Sequence, residues 1–189
     1  MSKIIVFAAL TLALCMASVV TGQEPSQTTA IPNLHEVNAS LYRGAQPKPG
    51  GLLQLKQLGV KTILNLRDDD ERAKSEATEA QSLGLRYFNI PLSNFSRPDD
   101  KVVEQILALI NSTENQPLFV HCKRGSDRTG TIIAVYRIAH DGWTSEKAQA
   151  EAKQYGLGFW QMGMKDYIHD YYERHSRQPD DQTTKKPIQ

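Results

Sequence analysis

Cysteine is almost missing from this chain: Cys15 and Cys122 are the only two in 189 residues. A disulfide-stapled scaffold needs several pairs, so the fold must rest on an apolar core. Excess charge is missing too. Lysine and arginine total 22 against 21 acidic residues, a net charge of +1. Nonspecific nucleic-acid binding normally calls for a basic domain, so no nucleic-acid partner is expected and any bound anion must be gripped locally. His140, His169 and His175 lack metal-ligand spacing with acids or thiols, and no metal is expected. No glycine-rich nucleotide loop with its Lys-Ser or Lys-Thr pair occurs, and no cofactor is expected. What is present is 40% hydrophobic and 23% charged residues, the balance of one globular domain with tails.

Lys3 precedes a 17-residue apolar run, Ile4 to Val20, and Val20-Thr21-Gly22 supplies small or compact residues at its end. This pattern describes a secretory signal peptide over residues 1–22. Other readings are cleavage after Ala17, an uncleaved anchor, and lipidation at Cys15. Residues 23–33, with Pro25, Ser26, Thr28 and Thr29, read as a flexible leader, 34–175 as the domain, and 176–189 as a disordered tail. Cleavage makes the protein secreted or periplasmic, without stable membrane insertion. It also leaves Cys122 as the only thiol.

The domain alternates strand-like and helix-like segments. Strands are expected at Leu41 to Arg43, Val60 to Leu66, Leu85 to Pro91 and Leu118 to Val120. Helices are expected from Pro47 to Leu58, Glu71 to Leu83, Pro98 to Ile110, Thr129 to Ala139, Ser145 to Tyr155 and Met164 to His175. The fold class is therefore α/β: a central, mostly parallel sheet flanked by helices in a single domain. Ligands in such sheets bind at the carboxyl ends of the strands, which directs attention to the turn after Val120.

That turn reads His121-Cys122-Lys123-Arg124-Gly125-Ser126-Asp127-Arg128-Thr129-Gly130. A buried strand ends there and a buried helix begins a few residues later. Backbone N–H groups at a helix N-terminus form a ready anion site. Gly125 lets the loop curl tightly. Arg128 offers a planar fork for two phosphate oxygens. Cys122 at the base of this positive field is favoured as the thiolate, a nucleophile placed for in-line attack on phosphorus.

His-Cys, five residues, then Arg-Thr resembles the signature of the cysteine-dependent tyrosine and dual-specificity phosphatases. Leu41-Tyr42-Arg43-Gly44-Ala45-Gln46-Pro47 and Ile63-Leu64-Asn65-Leu66-Arg67 resemble segments of compact bacterial and fungal-type members. The resemblance implies Cys122 as the nucleophile that becomes phosphocysteine and Arg128 as the phosphate ligand. It implies a cradle that includes Lys123, Arg124, Gly125 and Ser126, with Thr129 bonded to the thiolate. His121 would order the loop through backbone hydrogen bonds.

The leaving oxygen needs a proton. Asp127, inside the loop, is the expected general acid, since a bound phosphate beside it favours the protonated carboxyl. Asp99 and Asp100, upstream in Ser93-Asn94-Phe95-Ser96-Arg97-Pro98-Asp99-Asp100, are the alternatives. Lys123 and Arg124 read either as a solvated rim or as ligands for further phosphates. Tyr155, Phe159, Trp160, Tyr167, Tyr171 and Tyr172 read as core. The expected function is a monomeric phosphomonoesterase. Its substrate is a phosphorylated protein, an inositol phosphate or a phosphoinositide. Competing readings are a phosphate-binding module without turnover and, more distantly, a rhodanese-type sulfurtransferase.

Overall fold

A computed structural model describes residues 30–176. The signal segment, most of the expected leader and nearly all of the expected tail lie outside the described residues. Five strands form one sheet in the order β1-β2-β5-β3-β4. They are β1 His35–Asn38, β2 Leu41–Ala45, β3 Thr62–Asn65, β4 Arg86–Asn89 and β5 Leu118–Cys122. Strand β1 pairs antiparallel with β2, and every other pairing is parallel. The helices are α1 Gly51–Gln57, α2 Glu71–Ser82, α3 Asp100–Asn111, α4 Asp127–Asp141, α5 Ser145–Gln154 and α6 Met162–Ser176.

Alternation along β5 splits the core in two. Leu118 and Val120 pack with Leu64 and with the apolar faces of α3, α4 and α6. Phe119 and Ile63 point the other way, onto Leu52 and Leu55 of α1 and Ala80 of α2. Both faces of the sheet are therefore covered, as the alternating pattern requires. Helix α3 shows how the local sequence sets an element. Val103, Ile106, Leu107 and Ile110 recur at helical spacing and all are buried. Asp99 caps its start, accepting from the N–H groups of Lys101 at 2.9 Å and Val102 at 3.3 Å.

The structure adds one strand to those expected and corrects the extent of the leader. Strand β1 does not read as a strand in sequence, because Val37 is its one aliphatic residue and its pairing comes entirely from β2. The last residues of the expected flexible leader are built into the fold. Ile31 is fully buried against α1 and Phe119, and Asn33 holds the loop after β5. A single buried aliphatic in a polar stretch gives no periodicity to detect.

Candidate active site

The parallel strands send their carboxyl ends to one edge of the sheet, and the segments after them converge there. Strand β5 ends on Cys122. The loop Lys123–Ser126 turns directly into α4, which starts at Asp127, two residues earlier than its apolar pattern indicates. Arg128 and Thr129 therefore sit in the first helical turn, where N–H groups lack intrahelical partners. Cys122, Arg128, Ser126 and Asp127 line one cavity of about 540 Å³. Arg67 and Asp68 after β3, Asn94 and Phe95 beyond β4, and Trp160 between α5 and α6 complete its wall.

The loop is clamped from beneath. Gly125 has φ +68°, and a Cβ there would stand 2.4 Å from the Gly44 carbonyl carbon and 2.6 Å from the Ala45 nitrogen. Only glycine fits that left-handed, closely approached position. Arg43, 1% exposed, donates from Nη2 to the Gly125 carbonyl at 2.8 Å and lies over the Tyr155 ring at 4.5 Å. Burial lowers the Arg43 pKa to about 10, which still leaves it charged at neutral pH. Asn33 Nδ2 donates to the Gly125 carbonyl at 3.1 Å and to the Tyr155 carbonyl at 3.2 Å. Arg43 and Asn33 support the loop from positions whose contact with it the sequence does not reveal, since in one dimension they are a strand residue and a leader residue.

Burial by itself would raise the Cys122 thiol. Hydrogen bonds from the Thr129 hydroxyl, the Thr129 N–H and the Arg124 N–H, together with the Arg128 charge, outweigh it and bring the thiol below its ordinary value. The Thr129 hydroxyl is fully buried and has no other partner among the described residues. Arg128 Nη1 donates to the carbonyls of Leu66 and Leu92, each at 3.3 Å. Among the described residues its Nε and the buried Ser126 hydroxyl have no partner. Buried polar groups are nearly always paired, so these two donors in a cavity wall mark a place for an anion.

His121 makes a backbone contact of the expected kind and has a second partner besides. It makes one long contact to backbone, Nδ1 to the Cys122 carbonyl at 3.4 Å. Its nearer partner is Glu76 on α2, whose Oε1 lies 3.2 Å from Nε2. Glu76 is itself buried and also accepts from Gln46 at 2.8 Å, Asn65 at 2.9 Å and Tyr87 at 3.2 Å. Burial pushes the Glu76 carboxyl up, but these donors and His121 hold it below its ordinary value.

The three expected acids are all otherwise engaged. Asp127 is 2% exposed, pairs with Arg124 and accepts from the Gly158 N–H at 2.9 Å. It lines the cavity as a brace between the loop and the α5–α6 connection. Asp99 is the α3 cap, and Asp100 accepts from the Tyr167 hydroxyl at 2.8 Å and from Arg174 at 2.9 Å. Neither lines the cavity. Lys123 and Arg124 are exposed at its mouth. Of the aromatics expected in the core, Tyr167 and Tyr171 are buried, whereas Phe159 is 81% and Trp160 54% exposed. Both lie on the short connection before α6, too short to carry a periodicity that would separate rim from core.

A cysteine at the end of a strand and an arginine in the first turn of the next helix, lining one cavity, define a phosphatase-type loop on an α/β sheet. The family described as DSP-PTPase phosphatase fused to NAD+ kinase matches residues 15–170, and the chain belongs to it. The chain is 33% identical over 127 residues to the dual specificity protein phosphatase TpbA of Pseudomonas aeruginosa, covering 67% of this chain and 56% of that protein. It is 29% identical to the inositol diphosphatase DSP4 of Arabidopsis thaliana, covering 56% and 54%. The match thus spans little more than half the length of these relatives. The catalytic core of the PP-IP phosphatase SIW14 from Saccharomyces cerevisiae, solved with citrate, superposes with a TM-score of 0.65 at 21% identity, covering 77% of this chain and 92% of that one. That likeness is one of fold.

Proposed function

We propose that this protein is a phosphoric monoester hydrolase that works through a phosphocysteine. The observation that carries the reading is the pairing of a thiol held below its ordinary pKa with unpartnered Arg128 and Ser126 donors in one cavity wall. A phosphoryl group seated there receives hydrogen bonds from the α4 N-terminus and from Arg128. Its phosphorus then faces the Cys122 sulfur. Sulfur attacks, the P–O ester bond breaks, and water later cleaves the P–S bond to release inorganic phosphate. A phosphate-binding module has no use for a thiol tuned in this way, and a sulfurtransferase has none for the arginine fork.

The substrate is a phosphorylated protein, an inositol phosphate or a phosphoinositide, the first being the substrate class in the name of the Pseudomonas relative and the second in that of the plant relative. One observation favours a polyanion. A second cavity of about 610 Å³ shares Arg67, Lys123 and Arg124 with the first and adds Lys48 and Arg72. With Arg128, six cations along contiguous recesses suit a substrate with several phosphates. We further infer that residues 1–22 export the protein and are removed, which supports a secreted or periplasmic setting.

A substrate panel on the mature chain tests the activity: a phosphotyrosyl peptide, a phosphoseryl peptide, a phosphoinositide and inositol polyphosphates, with orthovanadate as competitor. Vanadate-sensitive release of phosphate from any of them, lost in Cys122→Ser, is the expected result. No release from any removes the reading. Mass spectrometry of exported protein should find an N-terminus near Gln23, and a full-length cytosolic product would contradict the export reading.

A further inference from the structure

In-line attack decides where the proton donor must stand. Cys122 is 3% exposed at the floor of the cavity, so the leaving oxygen, opposite the sulfur across phosphorus, faces the mouth. The donor therefore belongs at the rim and needs a carboxyl free to exchange its proton. Two carboxylates line the cavity, Asp127 and Asp68. Asp127 is buried and bound by Arg124 and the Gly158 N–H. Asp68 is exposed, and among the described residues no donor engages its side chain.

The sheet puts Asp68 there. In the β3–β5 ladder Asn65 lies opposite His121. Leu66, next in line, donates its N–H to the His121 carbonyl at 2.9 Å and accepts from Arg128 through its own carbonyl. Asp68 comes two residues later. Its flanks are anchored. The Arg67 N–H bonds Asn65 Oδ1 at 2.8 Å, the Arg67 carbonyl accepts from Asn89 at 2.8 Å, and Asp70 caps α2 through the Ala73 N–H at 3.0 Å. A short turn pinned at both ends holds its middle residue in place at the cavity rim.

We propose that Asp68, not Asp127, Asp99 or Asp100, is the general acid of the reaction; this rests on the phosphatase reading above. As sulfur bonds to phosphorus, the electron pair of the breaking P–O bond goes to the leaving oxygen, which takes the Asp68 proton. The resulting carboxylate then accepts a proton from the water that attacks phosphocysteine. The P–S bond breaks, thiolate is restored, and Asp68 ends protonated as it began.

The test compares phenyl phosphate, whose leaving group needs a proton, with p-nitrophenyl phosphate, whose leaving group does not. Asp68→Asn should lose about 10²–10⁴-fold in kcat on phenyl phosphate and less than about tenfold on p-nitrophenyl phosphate. The alkaline limb of its pH–rate profile on phenyl phosphate should disappear. Asp69→Asn, one residue along and outside the cavity wall, should match wild type on both. Equal losses on the two substrates, no loss on either, or the selective pattern in Asp127→Asn instead would overturn the assignment. A wild-type chain that turns over neither substrate while binding vanadate would remove the phosphatase reading and the acid with it. Activity that survives Cys122→Ser would sink the covalent mechanism and leave Asp68 without the step assigned to it.

Discussion

Replacing Glu76 with glutamine exchanges one buried carboxylate oxygen for an NH₂ group, and the polar groups around that carboxylate, three of them hydrogen-bond donors to it, set the cost. The two Glu76 oxygens meet these three donors and the His121 ring. Gln46 Nε2 lies 2.8 Å from Oε1, with His121 Nε2 at 3.2 Å, while Asn65 Nδ2 lies 2.9 Å from Oε2, with the Tyr87 hydroxyl at 3.2 Å. A glutamine amide has one acceptor oxygen. Whichever way it turns, its NH₂ faces the NH₂ of Gln46 or of Asn65. Gln46 cannot flip to oblige, because its Oε1 accepts from Arg67 Nη1 at 2.9 Å. The variant loses charge-assisted bonds and leaves a buried donor unmet, a cost of about 2–4 kcal/mol. For a domain of this size that lowers Tm by roughly 5–15 °C.

The pH dependence gives the sharper check. The folded Glu76 carboxyl lies below its ordinary value of 4.5. A carboxyl depressed in the fold stabilises fully above its unfolded pKa, and that stabilisation is lost as pH falls through the folded value. Glutamine does not titrate. The stability gap between wild type and Glu76→Gln should therefore be widest near pH 7 and narrow below about pH 4.5. Urea unfolding at pH 7, 5 and 4 measures it. Equal midpoints at pH 7, or a gap that stays constant into acid, would mean that the Glu76 carboxylate does not stabilise the fold in this way. Because Glu76 acts on the loop through His121, kcat should fall as well, with the smaller effect on KM.

Cys122→Ser should abolish turnover yet still bind vanadate by calorimetry, whereas Arg128→Ala should lose both, and Arg128→Lys should recover little because an ammonium cannot copy the fork. Gly125→Ala forces a left-handed alanine against the Gly44 and Ala45 backbone. It should cost about 2–5 kcal/mol in urea unfolding, from the left-handed strain and the overpacking together, and most of the activity. A variant with wild-type midpoint would show that the approach of the two loops relaxes freely. The Cys122 thiol lies below its ordinary 9.0, so iodoacetate alkylation should reach its plateau below the pH an ordinary thiol requires. Thr129→Ala removes one of the hydrogen bonds that hold it down, and the alkylation midpoint should move up.

The proposed nucleophile and the arginine fork are legible in sequence because one loop carries both. A strand end, a glycine and a helix start place Cys122 and Arg128 six residues apart around a shared recess, and that geometry is local. The parallel sheet is legible for a similar reason, since β3 and β5 are short apolar runs separated by helices with clear polar faces. Strand β1 is not, because its partner supplies what its own residues lack. The general acid was also beyond the sequence. Asp127, Asp99 and Asp100 all stand at helix starts, and what separates a braced or capping carboxylate from a free one is what lies across the fold: Gly158 for the first, Tyr167 and Arg174 for the last.

The loop's own chemistry is local: a thiol, a glycine and an arginine fork stand within seven consecutive residues, Cys122 to Arg128. Everything that reaches that loop from elsewhere depends on the fold. Arg43 and Asn33 hold the loop from below, Glu76 meets His121 from α2, and Asp68 faces the cavity from the neighbouring strand's end. Those residues lie 46 to 89 positions from Cys122. They come together because β2 and β3 pair with the two sides of β5, so that proximity is set by strand register, which residue spacing along the chain does not encode.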